Sequence, residues 1–95
     1  MNKNKKTELG YNGWANYETW SVGLHNYIYY LAETALDSGE LQVDADWCED
    51  YLYDLLENDF PTEGLCRQLF NGAWGEIDWR EIAEHVNESI LDIGI

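Results

Sequence analysis

The chain has 95 residues, 19 of them Asp or Glu against 5 Lys or Arg, and a formal charge of −14, enough for one small domain. Lys3, Lys5 and Lys6 lie in the first six residues, so from Thr7 onward only Arg67 and Arg80 oppose the acids. That field argues against direct binding to DNA, RNA or a membrane surface, while five Trp, seven Tyr and two Phe argue against disorder.

Residues 1–10 are polar and lysine-rich and read as a flexible basic tail, leaving 11–95 as an acidic helical domain. No apolar run follows the lysines as a secretory signal requires, and none approaches the roughly 18 residues of a membrane span. Residence in the cytoplasm is therefore expected. Gly10 to Gly13 is a turn signal. Apolar residues then fall at Tyr17, Trp20, Leu24, Tyr27, Ile28, Leu31 and Ala35, which predicts one long helix capped by Asn16 and stopped at Ser38-Gly39. Gly23 interrupts that pattern at a cost of about 1 kcal/mol against Ala and marks a close approach.

Leu41 to Val43 is a candidate short strand. A second helix is expected after Asp44, with Trp47, Cys48, Tyr51, Leu52 and Leu55 on its apolar face and Asn58 to Pro61 ending it. A short third helix, capped by Thr62, carries Leu65, Cys66, Leu69 and Phe70 and ends near Asn71-Gly72. The last opens at Asp78 in a capping-box-like pattern with Glu81, and buries Trp79, Ile82, Ala83, Val86, Ile90 and Ile93. The expected fold is all-α, a compact single domain of about four helices. The two cysteines, Cys48 and Cys66, adjoin apolar positions and read as structural free thiols.

Opposite these apolar faces the carboxylates form two stripes. On the second helix Asp46, Asp50, Asp54 and Glu57 follow steps of 4, 4 and 3, with Glu49 alongside; on the last, Glu81, Glu84, Glu88 and Asp92 follow steps of 3, 4 and 4. Neighbouring acids there stand about 5–6 Å apart, and each like-charge pair costs a helix roughly 0.2–0.5 kcal/mol. Solvated faces usually relieve that repulsion with interleaved Lys or Arg, and these stripes contain almost none. Rows of charge at this interval approximate the phosphates of a nucleic-acid strand and suit a basic groove built for DNA or RNA. The plainer reading, that acidic surface serves solubility alone, stands beside it.

Catalytic and metal readings find less. The stripes lie on solvent-facing positions, without the cleft that separates the pKa values of an acid and a base. Asp44 to Cys48 starts like a calcium loop but continues with a helical period. His25 and His85 are lone histidines without a ligand partner at metal spacing, His85 reading as a packed residue at the edge of the apolar stripe. Acidic surroundings raise a thiol pKa, which disfavours a cysteine nucleophile. No enzyme, metal or cofactor is expected. Trp14 and Trp74, in Gly-flanked segments, are candidate exposed anchors for a protein partner, or caps on the small core.

The string Asn12-Gly13-Trp14-Ala15-Asn16-Tyr17-Glu18-Thr19-Trp20 resembles an N-W-x-N-Y-E-T-W-type opening of small phage and plasmid proteins. Many of these carry a later segment similar to Asp78-Trp79-Arg80-Glu81-Ile82-Ala83-Glu84, and the two blocks cover about 16 of the 95 residues. The resemblance implies a mobile-element setting, in which small acidic proteins include nucleic-acid mimics that disarm CRISPR or restriction machinery. Asn16 to Trp20 form a helix start and read as scaffold. The expectation is a non-enzymatic inhibitor, most specifically an anti-CRISPR protein, whose stripes enter the basic DNA-binding groove of a host defence effector, either a CRISPR complex or a restriction enzyme. A homodimer would lengthen the mimic. The alternative is a phage-encoded adaptor that binds a host protein through exposed aromatic residues.

Overall fold

In the computed structural model, which describes residues 13–94, five α-helices follow one another and no strand forms among the described residues. They are α1 (Tyr17–Leu24), α2 (Tyr27–Asp37), α3 (Ala45–Leu56, running into a 3-10 turn at Glu57–Asp59), α4 (Gly64–Gly75) and α5 (Trp79–Gly94). The tail at 1–10 and residues 11, 12 and 95 of the expected domain lie outside the described residues. None of these helices is long and apolar enough to cross a membrane.

Helix α5 is the centre of the packing. Trp79, Ile82, Ala83, Val86 and Ile90 recur with helical period and are all buried, whereas Ile93 is exposed. This face packs against α1, α2 and α3, most extensively against Leu31, Ala32 and Ala35 of α2. Burying an aliphatic side chain of this size stabilises a fold by about 1.5–3 kcal/mol. Asp78 caps α5 through a bond from the Glu81 amide to its Oδ1 (3.1 Å).

The long first helix of the sequence reading is two helices, which accounts for five helices where about four were expected. The chain breaks at Asn26, whose φ of 67° lies in the left-handed region that Asn tolerates better than most residues. The break turns α1 relative to α2, so Thr19 and Val22 are the buried residues of α1, and Tyr17 and Leu24 are exposed instead of joining the core. The stop at Ser38-Gly39 is as read. Gly39 takes a positive φ, its amide donates to Leu36 O, and Glu40 N–H donates to Ala35 O (2.8 Å), which closes a Schellman motif.

Val43 does not enter a strand because a side chain satisfies its backbone. Asn87 of α5 accepts from Val43 N–H at 2.8 Å and donates to Val43 O at 2.9 Å. Asp44 then caps α3, accepting from Trp47 N–H at 2.9 Å. Cys48 and Leu52 are the buried residues of α3; Trp47 is half-buried, and Tyr51 and Leu55 are exposed.

Helix α4 departs most from expectation. It begins at Gly64 after Glu63 rather than under a Thr62 cap, and runs through Asn71-Gly72 to Gly75. It has no buried residue: Leu65 and Leu69 are 69% and 64% exposed, and Cys66 is exposed too. Aromatic contacts hold it in place, with Phe70 and Trp74 ringed by Tyr53, Phe60 and Trp79 at centroid distances of 4.2 to 5.5 Å. Arg67 lies over Phe70 and donates to Pro61 O and the Tyr53 hydroxyl.

Candidate functional site

Most of the sequence-predicted carboxylates stand clear of the protein. Asp46, Asp50 and Asp54 on α3, Glu57 in the following turn, and Glu84, Glu88 and Asp92 on α5 are exposed. On α3 they lie across the helix from Cys48 and Leu52, and on α5 across from Ile82, Val86 and Ile90. The two helices that carry the rows pack against each other.

Two acids are drawn out of the rows. Glu49 is half-buried and accepts from the Trp74 indole N–H at 2.9 Å, which ties α4 to α3. Glu81 is half-buried and accepts from the Ala15 amide at 2.9 Å. These carboxylates are structural in this fold, and the outward rows are Asp46, Asp50, Asp54, Glu57 on one helix and Glu84, Glu88, Asp92 on the other.

Little positive charge compensates them. Among the described residues neither Arg67 nor Arg80 pairs with a carboxylate; His85 Nδ1 lies 3.7 Å from Glu88 Oε1. The acids also converge on no metal cage, since the described residues contain no group of three or more His, Cys, Asp or Glu placed to hold an ion. Cys48 is fully buried, and burial, with the Asp44 carboxylate second, pushes its thiol up to about 12. It is protonated at neutral pH and a poor nucleophile. Cys66, read as a buried structural thiol, is exposed on α4.

Neither candidate tryptophan anchor is free. Trp14 is half-buried, stacks on His85 at 4.2 Å and lies over Gly23, where an added Cβ would meet its Cζ2 at 2.7 Å. The close approach marked by Gly23 is thus to an indole. Trp74 is half-buried in the aromatic cluster and bonded to Glu49.

The profile of a family of unknown function, DUF7249, matches residues 7–92. The chain belongs to that family. No curated protein and no solved structure matches it.

The range shared with DUF7249 takes in both short sequence blocks, which meet in space. Asn16 Oδ1 accepts from the Thr19 amide (2.9 Å) and from the Thr19 hydroxyl (2.6 Å), while Asn16 Nδ2 donates to Glu76 O. Thr19 is fully buried, and its Oγ1 in turn accepts from the Asp78 amide at 2.8 Å. That bond takes the place of the reciprocal half of a capping box, because Glu81 reaches Ala15 instead. Asn16, Thr19, Asp78 and Glu81 therefore lock the start of α1 to the start of α5, a scaffold role. Sequence reasoning found the helix start here but missed its partner, 59 residues away from Thr19.

Proposed function

We propose that this protein is a non-enzymatic inhibitor of a bacterial defence effector, an anti-CRISPR protein most specifically, that occupies a basic DNA-binding groove as a nucleic-acid mimic. One observation carries the reading. Exposed carboxylates line two helices that pack together, and no arginine of the described residues neutralises them. A binding partner with Lys and Arg arrayed for phosphate gains the charge contacts that the fold leaves unmade, and releases counterions as it does on DNA.

Asp46, Asp50, Asp54 and Glu57 supply one row and Glu84, Glu88 and Asp92 the other, with Glu49 and Glu81 holding the scaffold beneath. Repulsion within each row costs helix stability, which is consistent with retention for binding rather than for folding. The experiment is inhibition of target-DNA binding by CRISPR effector complexes and restriction enzymes, with wild-type protein and with both rows changed to Asn and Gln. Loss of inhibition in a folded variant, and weakening of wild-type inhibition at high salt, are the expected results. Unchanged inhibition after neutralisation of both rows contradicts the reading.

A further inference from the structure

A second surface is apolar and adjoins the α3 row at Glu57, next to Leu56. Helices α1 and α4 stand apart and form the walls of an open groove of about 310 Å³, floored by Leu52 and Leu56 of α3. Each wall contributes residues at i, i+3, i+4 and i+7: Glu18, Ser21, Val22 and His25 from α1, and Phe70, Ala73, Trp74 and Ile77 from α4 and the residues just after it. Leu69 lies one turn before Ala73 on the α4 side and is 64% exposed. Two helical walls over an apolar floor form the seat that an amphipathic helix fills when it presents its own i, i+3, i+4, i+7 stripe.

Charge narrows the chemistry of the occupant. The lining holds one carboxylate, Glu18, and no Lys or Arg, and Glu57 and Glu76, each next in sequence to a lining residue, are exposed. Arg67, the cation of α4, is committed to Pro61, Tyr53 and Phe70. A second copy of this chain would bring a further −14 to the same place. We propose that the groove between α1 and α4 receives one amphipathic helix of a partner protein, its apolar stripe on Leu56, Phe70 and Ala73 and its Lys and Arg side chains toward Glu18, Glu57 and Glu76. Asp50 and Asp54 lie across α3 from Leu52, whereas Glu57, the last acid of that row, follows Leu56 directly and belongs to both surfaces.

The test uses the full chain and three 18-residue probes: a Leu/Lys peptide with helical apolar period, the same composition with that period scrambled, and a Leu/Glu peptide with the period kept. Binding is read by anisotropy of the labelled peptide, and its place by backbone amide shifts of the protein. The periodic Leu/Lys peptide is expected to bind at least about tenfold tighter than either control, since desolvated anchors dominate such interfaces. Amide shifts are expected at Ser21, Val22, Ala73 and Ile77. Ala73→Arg and, on the opposite wall, Ser21→Arg each place a cation in the groove and are expected to weaken binding by about tenfold or more, with circular dichroism unchanged. Asp50→Asn with Asp54→Asn is expected to leave the shifts at Ser21, Val22, Ala73 and Ile77 in place, as those acids lie across α3 from Leu52. Shifts confined to the outward rows, or equal binding by the scrambled peptide, overturn the proposal. So does a dimer at working concentration in sedimentation equilibrium whose groove amides shift on dilution, because the occupant is then a second copy.

Discussion

Helices α5 and α4 both carry an amphipathic pattern and meet opposite fates. The apolar stripe of α5 is enclosed by three other helices, with Ile82 and Val86 fully buried. That of α4 has no residue buried, and Leu65 and Leu69 face solvent. Helical periodicity specifies which side chains share a face; whether that face is covered depends on how many elements remain to cover it. In a small chain whose α5 already engages α1, α2 and α3, only an aromatic cluster remains for α4. The same difference separates structural from available surface in the acids, where Glu49 and Glu81 are tied into the fold and their neighbours are not.

The contrast can be tested most strongly by truncating one residue on each helix. Ile82→Ala opens a cavity beneath α5 and is expected to cost about 2–5 kcal/mol, whereas Leu69→Ala on α4 is expected to stay within about 0.5 kcal/mol, both read by urea denaturation. Next comes the lock between the helix starts. Thr19→Val removes the acceptor of the Asp78 amide and the donor to Asn16, for an expected loss of about 1–3 kcal/mol, while Thr19→Ser retains most of the stability. Gly23→Ala drives a Cβ into the Trp14 indole. Overpacking of about 1–3 kcal/mol is offset there by about 1 kcal/mol of better helix propensity, leaving a smaller net loss and a displaced Trp14–His85 stack visible by NMR.

At the thiols the contrast becomes chemical. At pH 8 iodoacetamide is expected to modify exposed Cys66 and spare Cys48, with both modified in urea, as read by mass spectrometry. Because burial raises the Cys48 pKa above its unfolded value, the folded chain keeps that proton where the unfolded chain loses it. Its contribution to stability is present below about pH 9 and declines as pH rises toward about 12. Cys48→Ala removes that part of the alkaline decline.

Much of the fold was legible because its signals are local. The α5 face, the caps at Asn16 and Asp78, the start of α3 after Asp44, and the stop at Gly39 each depend on residues within a few positions of one another. The break at Asn26 was not legible, since one left-handed residue leaves the apolar spacing of 17–35 almost undisturbed. Nor was the fate of Val43, whose hydrogen bonds are closed by Asn87 from 44 residues away. The carboxylate rows could be read from helical spacing, but the removal of Glu49 and Glu81 from them depends on Trp74 and Ala15, partners that spacing does not disclose. The groove between α1 and α4 was invisible for the same reason, as it exists only where two distant stripes are held apart.

Capture from bacterial lysate on immobilised protein, at low and high salt, followed by elution with duplex DNA and mass spectrometry, tests the proposed mimicry most directly. The account predicts that a nucleic-acid-binding defence complex is retained at low salt, released at high salt and displaced by DNA, and that the variant with both rows neutralised retains none of it. A retained partner that withstands high salt, ignores DNA and binds the neutralised variant equally well would contradict it.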